Sequence, residues 1–482
     1  MSNPKHGVRR LSLCALLGIV VGVACGGMGW GRQIEEGLID LRMRHAVLNG
    51  ASDEVILVGI SDADLANFGS WPFPRGVHGD VLQILNALEP AQVTVDILFT
   101  EPSEEPEQDK RLQAALDTHE HLTLAYYFDE LGFERTTENK ALPHFITGRH
   151  YGYDPASGSL PEGASPIPPF TQLSCSFGAA NGIPANAEGV IRHAPLFIRY
   201  ADRLYPGLAM QTVISALNIE PDQITVEPGN AVTLANTSRG TLRLPLDNNG
   251  LYRTRYGAQL QQFSGLDYSD LYRAVQDPAY GESLRELIAG KIVLVGYVAT
   301  GSYDVLPTPI GQMPGLVVHA NIVSNLLTNA PLWLAPTWLH IVLPIAFSLL
   351  AAGLMRYRRR INFILVLSFG ALLLGVAWFA GSRAVMLPTW PLLCIWCILL
   401  FASTLLHPLP VLVRKNQSPH RTNAPTTTPS PQRAEATNVL VDQPTVTIAQ
   451  APLPHTTPIV LEGEETIAFT NQPPPPPNDP DD

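Results

Sequence analysis

Residues 55–60 read VILVGI and end at Ser61-Asp62, and residues 92–99 read QVTVDILF and end at Thr100-Glu101. Between them Val77, Val81, Leu82, Ile84, Leu85 and Leu88 recur at three- and four-residue spacing, the apolar face of a helix. A third run, KIVLVG at 291–296, ends near Tyr297, and a further helix is expected at Gln108–Leu116. Strand, helix, strand with near-continuous apolar strands is the pattern of a parallel sheet covered on both faces. The region from about 130 to 285 is less regular. Its turn-rich stretches and alternating runs, such as Val232–Leu234 and Thr241–Leu246, predict strands and hairpins inserted into, or packed on, an α/β core.

Outward from that core the chain turns apolar. Charged residues make up 15% of the 482 residues, against roughly 25% in an ordinary soluble domain. Residues 11–30 are apolar and uncharged between Arg10 and Arg32, and at about 1.5 Å rise each they reach about 30 Å, a bilayer's hydrocarbon thickness. Further apolar runs occupy 338–355, 361–380 and 384–406. Arg356, Arg358, Arg359 and Arg360 separate the second and third runs, and Gly381–Arg383 separates the third and fourth. The positive-inside rule gives one consistent topology. Residues 1–10, the Arg356–Arg360 loop and Arg414-Lys415 lie inside, and residues 31–337 lie outside. Trp333, Trp338 and Trp390 fall where an aromatic belt is expected. The first run also admits a cleaved signal peptide, or a lipoprotein leader ending at Cys25; its long apolar core favours an anchor. Gly18, Gly22 and Gly26, four apart, form a small-residue face suited to close helix approach and thus to a homodimer. Residues 407–482 are rich in Pro and Thr, with Pro473–Pro477 in a row, and are expected to be a disordered cytoplasmic tail.

Several function classes are disfavoured. A net charge of -12 argues against a nucleic-acid partner. Of five cysteines only Cys175 falls in the central region, so no internal disulfide is expected there. Cys394 and Cys397 have a metal-like spacing but sit within an apolar run and are read as packed or lipid-facing thiols. No HxxxH spacing points to a metal, no GxSxG elbow to a hydrolase, and no GxxxxGK[ST] loop to a nucleotide-binding domain. Neither cofactor nor enzymatic activity is expected.

Ligands of open α/β sheets settle beyond the carboxyl ends of the strands. Asp62 and Glu101 follow the first two strands there, and Asp304 follows the third after a short loop. Arg75 closes the Pro-rich turn Trp71–Arg75, His319 opens a late helix, and Asp96 lies within an apolar strand, where a carboxylate needs a partner such as Arg75 or several N–H donors. The candidate ligand-binding residues are therefore Asp62, Arg75, Asp96, Asp304 and His319. The alternative for the same five is a structural network that pins loops.

Asp40-Leu41-Arg42, Val58–Asp62 and Gly69–Arg75 open a series of short motifs. It continues with Val95–Phe99, Glu101-Pro102, Asp109 and Gly290–Gly296, and closes through Gly301, Asp304, Thr308-Pro309, Met313–Gly315 and His319-Ala320. Their order, over roughly 38–330 and ahead of three apolar runs, resembles the CHASE2 domain of bacterial transmembrane receptors. The resemblance implies an extracytoplasmic sensor at the inner membrane that detects a small-molecule or periplasmic signal. Such domains usually precede a cyclase, histidine kinase, Ser/Thr kinase or diguanylate cyclase, and residues 407–482 resemble none of these. The expected partner is then a separate cytoplasmic signalling protein docked on the tail. A non-enzymatic scaffold of the inner membrane, or a receptor that has lost its output, is the other reading.

Overall fold

A computed structural model describes residues 13, 16–21, 23–25, 28–45, 50–99, 102–128, 144–145, 151–152, 164–165, 175–180, 189–200, 203–300, 304–336, 338–354 and 359–405. The tail at 407–482, Glu101, Gly301, and Gly22 and Gly26 of the glycine series lie outside the described residues. In chain order the strands that build the domain are β1 (Val55–Ile60), β2 (Gln92–Asp96), β3 (Leu122–Phe128), β4 (Ser176–Ala179), β5 (Ile224–Glu227), β6 (Ala231–Thr237), β7 (Gly240–Pro245), β8 (Ser264–Asp267) and β9 (Ile292–Tyr297). The helices are α1 (Gly29–His45), α2 (Asp62–Phe68), α3 (Arg75–Ala87), α4 (Pro106–Asp117), α5 (Leu208–Ala216), α6 (Tyr268–Gln276), α7 (Pro278–Ile288), α8 (Gly315–Leu327), α9 (Leu339–Leu354), α10 (Arg359–Ser382) and α11 (Trp390–Leu405).

Six strands make one parallel sheet in the order β8–β1–β9–β2–β3–β4, so the last strand, β9, inserts between the first two. Every residue of β1 is buried, which is why it reads as an unbroken apolar run. The pleat sends alternate residues to opposite layers. Ile56, Val58 and Ile60 pack against α3, α4, α6 and α7, whereas Val55 and Leu57 pack against α5, α8 and the β5–β6–β7 meander. Burying side chains such as Val81 and Leu112 in the first layer, or Val213 and Leu326 in the second, contributes about 1.5–3 kcal/mol per residue. Ser61 caps α2 and Asp64 completes a capping box, so β1 stops one residue before the helix starts. The irregular middle supplies β4, an added strand of the main sheet, and the antiparallel meander.

The apolar runs form helices that pack on one another. Val21, Cys25, Phe347, Val366, Ile395 and Leu399 make their shared core. Phe363–Ser382, within α10, is long and apolar enough to cross a membrane by length and composition. The apolar helices at Leu16–Cys25, Leu339–Leu350 and Trp390–Phe401 are shorter. Large apolar side chains face outward from them, Leu372, Phe379 and Phe401 among them. The run expected at 384–406 becomes helical only at Trp390, because Val385–Met386 pairs with Trp333–Leu334 as a short parallel ladder. A Cβ on Gly18 would stand 2.8 Å from Cα of Ile345, so this glycine makes its close approach to α9 of its own chain.

Candidate functional site

The carboxyl ends of the parallel strands carry the acids named from sequence. Asp62 is the first residue of α2, and its carboxylate accepts hydrogen bonds from the Thr300 N–H (3.1 Å) and Oγ1 (2.8 Å). It pins the segment that leads from β9 toward Asp304. Asp96 ends β2 opposite Gly296 of β9. Thr94, two residues earlier, shares a 2.9 Å hydrogen bond with Thr212 of α5, so this set of alternate side chains faces the α5–α8 layer. Asp304 precedes α8, and its backbone oxygen accepts from the Gly315 N–H at 3.0 Å. His319 lies in the second turn of α8, not at its start as expected from sequence.

Three of the five candidates come together. Burial raises the pKa of the Asp96 carboxyl, and the nearby His319 partly opposes the shift. Asp304 is also raised, by burial and then by the charge of Asp96, with His319 and the Gly315 N–H acting the other way. Two carboxyls that feel each other in this manner favour a shared proton or a cationic neighbour. Nδ1 of His319 is buried and has no hydrogen-bond partner among the described residues. Glycine makes room for the cluster: a Cβ on Gly315 would overlap the Asp304 carboxylate, and one on Gly296 would crowd Leu316 and Asp96. Among the described residues no group of three or more His, Cys, Asp and Glu side chains is placed to hold a metal ion.

Arg75 is elsewhere, which corrects its reading as one possible partner of Asp96. It pairs with Asp109 of α4 and lies 5.6 Å over the Phe99 ring, in the α3–α4 layer. The physical reason is the pleat: Val93 and Val95 point to that layer, and Thr94 and Asp96 to the other. Around Arg75 sits an aromatic cluster in which Trp71 meets Tyr297 at 5.2 Å and Phe73 at 5.6 Å. His78 is buried within it, 3.3 Å from the Tyr268 hydroxyl; burial and the charge of Arg75 push its pKa down to about 4.

Two sets of buried or half-buried anchoring residues were not among the candidates named from sequence. Asp64 is fully buried and accepts from the N–H groups of Tyr268 and Ser269 at 3.2 and 2.8 Å, joining α2 to α6. Ser61-x-x-Asp64 before a helix was the available signal. The second set lies on α1. Asp40 receives Arg192 through Nε (3.1 Å) and Nη2 (2.7 Å), and Glu36 receives Arg253 at 3.0 Å. Glu35 accepts from the N–H groups of Thr389 (2.9 Å) and Trp390 (2.6 Å), and Arg42 bonds both Glu35 and the Leu387 carbonyl. Acids immediately after an apolar run were visible, but their partners lie far away in the chain.

A family model described as the CHASE2 domain matches residues 14–354. No curated protein and no solved structure matches the chain. Domains of this family are sensory, non-catalytic and typically extracytoplasmic. The match runs from the first helical stretch through the parallel sheet into α9, and on it the chain belongs to the CHASE2 domain family.

Proposed function

We propose that this protein is a multi-pass sensor of the bacterial inner membrane. Its sheet domain faces the extracytoplasmic side and binds a small cationic or hydrogen-bond-donating solute at Asp96, Asp304 and His319. The observation that carries the reading is the buried Nδ1 of His319, without a hydrogen-bond partner among the described residues, near the Asp96 and Asp304 carboxyls, whose pKa values are both raised. Asp62 belongs to the same rim as a loop pin rather than a ligand contact, and Arg75 braces α3 on α4. The bound state passes inward through the apolar helices to a separate signalling protein that docks on residues 407–482, with two copies of the chain forming the working unit. Support for the membrane part comes from α10, from the shorter apolar helices packed with it, and from the arginines at 356–360.

The test is thermal melting of the full chain in lipid nanodiscs with putrescine, lysine, glycine betaine and neutral amino acids, at several pH values. A ligand at a hundred times its Kd adds about 2.7 kcal/mol of stability. At least one of these solutes should raise Tm in the wild type and leave Asp96→Asn unmoved. A panel that shifts neither protein, or both alike, overturns the assignment of the site.

A further inference from the structure

Helix α8, which carries His319, is linked to the start of α11 through the segment 253–258 and helix α1, each joined to the next by polar contacts. Asn321, two residues after His319 on α8, accepts from the N–H groups of Gly257 (3.0 Å) and Ala258 (3.1 Å), and its amide donates to the Ala258 carbonyl at 2.8 Å. One turn on, Asn325 donates to the Arg255 carbonyl at 2.9 Å. Helix α8 therefore holds the backbone of 255–258 at four points. That segment continues directly from Arg253, which bonds Glu36 of α1, and the N–H of Thr254 reaches the Arg192 carbonyl at 3.0 Å. Arg192 in turn grips Asp40 with two nitrogens.

On α1, the residue beside Glu36 faces a different part of the molecule. The Glu35 carboxylate accepts the N–H groups of Thr389 and Trp390, which open α11, and the buried Arg42 fixes it there while bonding the Leu387 carbonyl. The first N–H groups of a helix have no partner within the helix, so here an acid from another helix supplies one. Below Glu35, Ile39 and Met43 pack on Leu332, Ala384 and Met386.

We propose that α1 is a lever with two grips, Glu36 and Asp40 on the sheet domain and Glu35 on the start of α11, so that movement of α8 is delivered as capping or uncapping of α11. The proposal rests on the sensor reading for the origin of the signal and not for the coupling itself. Adjacent residues share one helix backbone, so a shift of Arg253 that displaces α1 through Glu36 also displaces Glu35.

Amide hydrogen exchange of the full chain in nanodiscs tests this without any ligand. Glu35→Gln should speed exchange in a peptide covering Leu387–Leu393 at least tenfold. Releasing the other grip, with Glu36→Gln alone and with Asp40→Asn added, should speed the same peptide several-fold while β1 and β9 stay protected. Should the double variant expose β1 and β9 as well, the single variant, whose Asp40–Arg192 pair is intact, gives the reading. If the 387–393 peptide exchanges at the wild-type rate after the outer grip is released, or if Glu35→Gln itself changes nothing, α1 is an anchor and the lever is wrong. Neither result depends on Asp96 or His319 binding a solute.

Discussion

Asp96 ends a buried strand with a carboxyl that would rather be neutral. Its folded pKa is raised, so the favourable contribution of holding that proton is present below the unfolded value of 3.8 and is lost as pH rises through the higher folded value. Above 3.8 burial of the group is a cost to folding, one that the proposed binding site would retain for its ligand. Asp96→Asn should therefore raise Tm at pH 7, shrink the gain seen in the wild type on acidification, and abolish solute-dependent stabilisation; a fall in Tm would contradict this. His78 has the opposite sign. Its pKa falls from 6.5 to about 4, so its contribution is complete above 6.5 and is lost as pH falls toward 4. At about 1.4 kcal/mol per unit, the loss approaches about 3 kcal/mol, and His78→Phe should flatten that acid limb in melts between pH 7 and 4. Sequence made Asp62 legible because it directly follows an apolar run, and Asp96 because it interrupts one; that Asp96 ends its strand came from the structure. It could not separate Arg75 from Asp96, because which face each side chain takes depends on the pleat and on which helix covers it.

At the level of elements, the charged pairs differ by burial more than by distance. Asp40 and Arg192 have side chains 10% and 4% exposed, whereas Glu107 and Lys110 are 73% and 71% exposed. Removing one partner of a buried pair leaves an uncompensated charge. Asp40→Ala should cost about 3–5 kcal/mol in unfolding of the full chain, against less than about 1 kcal/mol for Glu107→Ala. Equal effects would mean that α1 is not held by its acids. Close backbone approach gives a second contrast. A Cβ on Gly178 of β4 would stand 2.6 Å from Cα of Leu208, where helix α5 lies on the sheet. Gly178→Ala must push a helix away and should cost about 1–3 kcal/mol. Gly69→Ala meets no described atom within 4 Å, so its cost comes from its φ of 98°. The β1–α3–β2–α4 pattern was legible because its apolar spacing is local. Edge strand β8 and strand β4 were not, since each is short and is specified by the neighbour it pairs with.

For the whole molecule, the proposed route from the sheet domain to the far side of a membrane runs from the core layers through α1 to the apolar helices. Proteinase K added to spheroplasts should degrade the sheet domain and spare a tag after Asp482, and the chain should stay in the pellet on carbonate extraction; a cleaved tag would reverse the proposed topology. Sequence by itself determined that there is a parallel α/β core and a set of apolar helices, and it carried the family resemblance, because strand and helix periodicity and transfer of apolar side chains from water are properties of short segments. Only the tertiary structure decided that β9 inserts between β1 and β2, which brings Asp304 and His319 to Asp96. It also decided that Glu35 meets Thr389 across more than three hundred residues. Contacts of that separation are set by how packed layers and helices fit together, and no local pattern encodes them.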